Sequence, residues 1–404
     1  MNSISAVLFV LHLAGLILFV TPAAAQTSGG GKAFTVESDD GDFSLRLGSR
    51  FQIDNVFHDS DLAALGSDTA IRRAYLQIGG SLFGNWNYKF QYDFARPGPH
   101  GDPVAGIRDA FIQYAGFEPV LITVGNFKEP LGLERLSGTL AATFIEYSLP
   151  DLFTPDRHLG IGAAHHGDGW TAALGVFGER PEDGITGEGE EAWDLAGRFT
   201  VVPARGPGRL WHVGLVGRWH LANDSIHSRR FSSRPESNLT GVRLIDTGNL
   251  TEVRDYQTLG LEMLGIRGRG SLQGEYYYTR VNRPGLPDLT FSGWYVYGSW
   301  SLTGEVRGYK TNSGLYDRMK PERPVTGGGA GAWELAVRYS TADLSDKDII
   351  GGVQDDLTLA VNWYATSRLR LAVNYIKVLK LDRPGDVADG NHGDIVLVRW
   401  QVDF

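Results

Sequence analysis

Arginine is the residue through which this chain can do chemistry. Read along stretches in which apolar and polar residues alternate, Arg46, Arg50, Arg73, Lys89, Arg198, Arg218, Arg338, Arg370 and Arg399 all fall on the polar face. A guanidinium presents a planar fork of donors that can hold two oxygens of one phosphate, so a row of them along a water-filled wall would let anions step from one to the next. Acids share that face, namely Asp54, Asp93, Asp109, Asp194, Glu262, Glu275 and Glu334. A cation paired with one of them is a transverse brace, and with a Debye length of ~8 Å at physiological salt a neutralised pair scarcely acts on a passing ion. Selectivity would rest on the cations left unpaired at the narrowest point. Two more basic groups lie in long connections: Lys128, Arg135 and Arg157 bracket 128–157, and Arg229, Arg230, Arg234 and Arg243 lie in 222–255. The second group reads as a solvated outer loop unless it dips inward.

The elements that must position these side chains are strands. The last twelve residues show the pattern: Val396, Val398, Trp400, Val402 and Phe404 fall on one face, and Arg399, Gln401 and Asp403 on the other. Period-2 alternation recurs in about sixteen segments, 43–57, 70–83, 86–96, 106–117, 119–127, 158–166, 169–178, 191–202, 211–221, 256–268, 271–282, 291–304, 331–342, 355–366, 369–379 and 394–404. Alternation alone fits a soluble sandwich as well as a membrane barrel. The ten Trp decide between them. In this register all lie on the apolar face, with Trp86, Trp170, Trp211, Trp300, Trp333, Trp363 and Trp400 near one rim and Trp193, Trp219 and Trp294 near the other. Indoles prefer the headgroup level, so two girdles indicate a barrel in a bilayer, whereas a buried core would scatter them. The middles of the apolar faces also lack Lys and Arg, which would cost ~2–4 kcal/mol at the bilayer midplane.

Connection lengths agree. If the last strand ends in the periplasm, the periplasmic turns include Gly84-Asn85, Phe117-Glu118-Pro119, Gly167-Asp168, Gly268-Arg269-Gly270 and Thr366-Ser367, all tight. Segments 128–157, 222–255 and 305–330 far exceed the ~12–15 residues of an ordinary structureless loop. Within 128–157, Leu131, Leu133, Leu140, Phe144, Ile145, Leu149, Leu152 and Phe153 alternate with charges, which suits packing on an inner wall. A sixteen-stranded barrel encloses a wide aqueous channel that such segments would narrow.

The apolar run Ile4 to Val20 followed by Thr21-Pro22-Ala23-Ala24-Ala25 reads as an export leader, although Met1 to Ala6 lacks the usual basic residue. The expected organisation is a signal peptide at 1–25, a periplasmic segment at 26–42 and a barrel at 43–404. No later stretch reaches the ~18 apolar residues of a membrane-crossing helix. Cysteine is absent, excluding disulfides and thiolate chemistry, and a net charge of −9 argues against nucleic acid as a partner. His165-His166-Gly167-Asp168 sits beside a tight turn, where neighbouring side chains point to opposite faces, so it reads as a turn and not a metal site. No G-x-S-x-G elbow stands out on the proposed wall, and Gly29–Gly31 and Gly327–Gly329 lack the context of a phosphate loop. Neither an enzyme nor a cofactor is expected, and an enzyme built on an outer-membrane barrel is the less favoured alternative.

Four blocks carry a family likeness: Ile71-Arg72-Arg73-Ala74-Tyr75-Leu76 with Phe90-Gln91-Tyr92-Asp93-Phe94; Arg108-Asp109-Ala110-Phe111; Val124 to Glu134; and Leu302-Thr303-Gly304-Glu305 leading to Gly331-Ala332-Trp333-Glu334-Leu335. In these the chain resembles the phosphate-selective porin O/P family of Gram-negative outer membranes. The resemblance implies a sixteen-stranded barrel, usually a homotrimer, set in outer-membrane lipid and lipopolysaccharide. It further implies inward-folded loops that form a basic constriction passing phosphate or related anions. The candidates for that lining are Arg46, Arg50, Arg72, Arg73, Lys128, Arg135, Arg157, Arg198, Arg218, Arg338 and Arg370. A general porin without phosphate selectivity is the alternative.

Overall fold

The computed structural model describes residues 34–60, 67–95, 106–178, 192–222, 228–386, 389–390 and 392–404. The leader expected at 1–25 lies outside them. Sixteen long strands run in order, numbered here β1 to β16. The first eight are Ser44–Ser60, Asp68–Leu82, Trp86–Asp93, Gly106–Phe117, Val120–Lys128, Arg157–Gly167, Trp170–Phe177 and Trp193–Gly206. The second eight are Arg209–Leu221, Asp255–Arg267, Gly270–Asn282, Leu289–Ser301, Ala332–Asp346, Ile349–Tyr364, Leu369–Asp382 and Gly393–Asp403. Each pairs antiparallel with the next, and β1 closes on β16 from Arg50 opposite Asp403 to Ser60 opposite Gly393. The sheet is a closed barrel with no free edge. A short strand, Thr35–Glu37, folds back onto the start of β1.

Polarity is inverted relative to a water-soluble protein. Leu259 is 63% exposed and Leu215 57%, while Arg338 is 1% exposed and Glu262 is fully buried. So much contiguous apolar surface is stable only against lipid. None of the ten Trp is buried. Trp333 pairs with Trp363, which lies in the same cross-strand row as Leu371 and Trp400, giving the girdle at the short-turn rim. On β16, Val402 and Phe404 are exposed as expected, but Val396 and Val398 are covered, with Phe57 and Tyr375 flanking Val396 in register.

All but one of the connections at one end are short, for example 118–119, 168–169 and 268–269, and this is the end that faces the periplasm in such barrels. At the other end one reading needed correction. Residues 343–354 were expected as an outer loop, but β13 and β14 continue through them to a two-residue turn at Lys347 and Asp348. The alternation there is weakened by glycines and by a register shift between Asp343 and Ser345, which hides a paired hairpin from a period-2 reading.

Candidate functional site

Segment 129–156 enters the barrel and distributes its apolar residues over separate patches of inner wall. Leu131, Leu149 and Phe153 pack with Phe177, Tyr277, Leu289 and Phe291. Leu133 packs with Leu210, Leu264 and Ile266, Phe144 with Tyr295 and Tyr297, and Ile145 with Val56, Ile376, Ile395 and Leu397. Full burial of each such side chain is worth about 1.5–3 kcal/mol, enough to hold a segment with little secondary structure. Its one α-helical turn, Leu133–Ser137 (α1), begins after Gly132, whose φ of 82° favours glycine. The free amides of Leu133 and Glu134 donate to the two carboxylate oxygens of Glu275 on β11, at 2.6 and 3.0 Å.

Beyond α1 the segment pairs with no strand and makes only a few local backbone bonds, such as those of the Ala141 and Ala142 amides to the Gly138 carbonyl, so other buried carbonyls must find donors elsewhere. Buried arginines of the wall and of the connection 302–331 supply them. Arg307 donates to the carbonyl of Ala141 at 3.2 Å, and Arg370 to those of Ala142 and Thr143 at 2.7 and 2.6 Å. Arg399 donates to Ile145, and Arg338 to Glu146 at 3.2 Å from each terminal nitrogen. Arg338 also joins Glu134 at 3.1 Å and Glu236 at 2.5 Å, pinning segment 129–156 and segment 228–254 to one strand. The periplasmic connection 302–331 turns inward as well, with Arg198 donating to the carbonyls of Ser313 and Gly314 at 3.1 and 2.7 Å. Burial pushes the Glu134 carboxyl up to about 7 against the pull of Arg338.

These segments leave a cavity of about 1110 Å³ bordered mainly by β1–β6, with Arg218 of β9 also at its edge. Among the described residues, twelve Arg or Lys side chains line it against six Asp or Glu. Six of the cations have carboxylate partners: Arg72 with Glu146 (3.0 Å), Lys89 with Asp109 (2.5 Å), Arg108 with Asp156, Arg135 with Asp151, Arg157 with Asp109 (2.5 Å) and Arg218 with Asp194 (2.6 Å). Burial alone would raise the Asp156 carboxyl, but the Arg108 and Arg157 guanidiniums overcome it and hold it well below the usual range. The other six, Arg50, Arg73, Lys128, Arg229, Arg234 and Arg243, have no carboxylate within 4.0 Å among the described residues. Arg50 instead donates to Thr139 at 2.8 Å, Arg73 to Gln52 at 2.7 Å, Arg234 to Asn238 at 3.0 Å, and Lys128 to the carbonyl of Arg135. Burial and the neighbouring Arg243 push Arg234 down to about 10, so it keeps its charge at neutral pH.

A Glu129, His158 and Asp194 cluster has metal-ligand chemistry. Its cation position is taken by Arg218, which reaches Glu129 at 3.1 Å and Asp194 at 2.6 Å. The donor set therefore fits an internal guanidinium better than a metal ion.

The family model for phosphate-selective porin O and P matches residues 45–404. The chain belongs to that family. Porin O of Pseudomonas aeruginosa is 26% identical over 94% of this chain and 92% of its own length. An uncharacterized protein of Caulobacter vibrioides is 30% identical over 88% of this chain and 72% of its own. In fold, the porin is similar to the anion-selective porin from Comamonas acidovorans, with a TM-score of 0.51 at 16% identity over 90% of this chain and all of that one. This is an outer-membrane porin channel.

In this porin, seven of the expected lining residues meet in the cavity: Arg50, Arg72, Arg73, Lys128, Arg135, Arg157 and Arg218. The other four lie elsewhere. Arg198, Arg338 and Arg370 are buried beneath the inward segments, where they serve loop carbonyls and acids, and Arg46 is exposed near the short-turn rim. The alternation that brings a side chain to the inner face cannot show that a loop will cover it. Lys89, which the alternation places on the polar face, lines the cavity too, as do four cations outside the expected set, Arg108, Arg229, Arg234 and Arg243. The last three come from 222–255, whose length signalled inward folding, while its polarity favoured the solvated reading.

Proposed function

We propose that this porin passes small anions by diffusion, phosphate or polyphosphate among them. The observation that carries this reading is the excess of cations lining the cavity among the described residues, twelve against six, in a chain whose net charge is −9. The six cations with no carboxylate within 4.0 Å among the described residues leave donors free for a passing oxyanion, and the guanidiniums among them can grip two oxygens at once. The family's description as phosphate-selective supports phosphate as the preferred solute. We take the assembly to be a homotrimer surrounded by phospholipid and lipopolysaccharide, as the family resemblance implies, with residues 1–25 removed on export.

Purified protein in a planar bilayer tests this directly. Reversal potentials across a chloride gradient favour anions, and millimolar phosphate reduces the chloride current. Cation preference, or a chloride current indifferent to phosphate, refutes the reading and leaves a general porin. Stepwise conductance without substrate turnover separates either channel from a barrel enzyme.

A further inference from the structure

One pair of arginines outside the lumen stands in an unfavourable position. On the outward face at the short-turn rim, Arg209 of β9 is directly opposite Arg267 of β10. Both side chains are exposed, and neither has a carboxylate within 4.0 Å among the described residues. Like charges in direct cross-strand register repel, so an anion held between them would relieve the arrangement.

The surroundings indicate which anion. One rung toward the membrane, Trp211 pairs with Gly265, and its ring lies over that glycine: a Cβ there would meet the indole at 3.3 Å. In the same row as the arginines, Arg267 pairs with Gly270 and Gly270 with Trp300, whose ring lies 3.1 Å from where a Cβ would stand. Two exposed indoles laid flat on glycine floors thus border an exposed pair of guanidiniums at the level of the aromatic girdle. Trp at this level marks the headgroup region, and clustered basic residues there bind anionic headgroups. We propose that Arg209 and Arg267 bind the phosphodiester of an anionic phospholipid in the periplasmic leaflet, with Trp211 and Trp300 against its glycerol and upper acyl region. The site lies on the lipid-facing wall and takes no part in conduction.

Native mass spectrometry of the porin in mild detergent, incubated with phosphatidylglycerol, tests it. The wild-type protein retains the lipid, and the Arg209→Gln, Arg267→Gln double variant loses retention by about thirtyfold, at ~1 kcal/mol for each of the two surface arginines. The control variant Arg280→Gln, at the opposite rim, retains it fully. Undiminished retention in the double variant overturns the proposal. Equal retention of phosphatidylcholine does so too, since acyl chains alone would then explain binding. Complete displacement by millimolar inorganic phosphate would make this a free-phosphate site and reject the lipid. A changed anion-to-cation permeability ratio in the double variant would place the pair in the conduction path and equally reject the lipid-facing role.

Discussion

Replacing Arg50 by Gln removes one of the six cavity cations that lack a carboxylate while keeping a polar group beside Thr139. A sphere of the cavity's 1110 Å³ has a radius of about 6 Å, and at that separation one unit charge in water-like surroundings is worth about 0.7 kcal/mol. A Debye length of ~8 Å at physiological salt roughly halves this. The anion loses that attraction and the cation loses an equal repulsion, so the permeability ratio changes by twice the amount. The expected fall in anion-to-cation permeability is about 0.7 kcal/mol, or about threefold.

Two consequences make the arithmetic testable. Adding Arg73→Gln doubles the effect to about tenfold at physiological salt, and at 0.01 M salt, where the Debye length is ~30 Å, the single variant alone approaches about tenfold. Arg280→Gln, which removes an exposed rim cation paired with Asp288, leaves the ratio unchanged. Reversal potentials in planar bilayers at both salt concentrations provide the measurement. If the Arg50 and Arg73 variants match wild type at low salt, unpaired lining charge does not set selectivity and the reasoning fails.

Arg338→Met leaves Glu134 and Glu236 without their shared partner, so it destabilises the seat of both inward segments by about 3–5 kcal/mol and raises single-channel conductance and protease cleavage within 129–156. Wild-type conductance after this change would show that Arg338 does not pin the constriction. Because the Glu134 carboxyl is raised to about 7, the folded state holds its proton more tightly than the unfolded chain does, and the stability this contributes is lost as pH rises through about 7. Channel current therefore becomes noisier above neutral pH, and Glu134→Gln abolishes that dependence. Lys128→Glu reverses a lining cation that has only a carbonyl partner, so it lowers anion preference further than a neutral replacement does, read again as a reversal potential.

Local sequence determined the barrel. A period of two is intrinsic to a strand, so the order of residues alone assigned Leu259 and Trp333 to one face and Glu262 and Glu334 to the other, and the sixteen strands follow. The inward segments were legible too, because Phe144 and Ile145 have no place in a solvated loop. Ile395 and Leu397, apolar on the polar face of the last strand, are the matching seat on the wall. What sequence could not decide was which inward arginines face water. Arg50 and Arg338 have the same alternation, yet one borders the cavity and the other lies beneath two folded segments, holding carbonyls and acids from residues about 100 or more positions away. Only the tertiary structure separates them, because ion pairing and backbone satisfaction depend on which distant groups come within ~3 Å, and chain order carries no record of that distance.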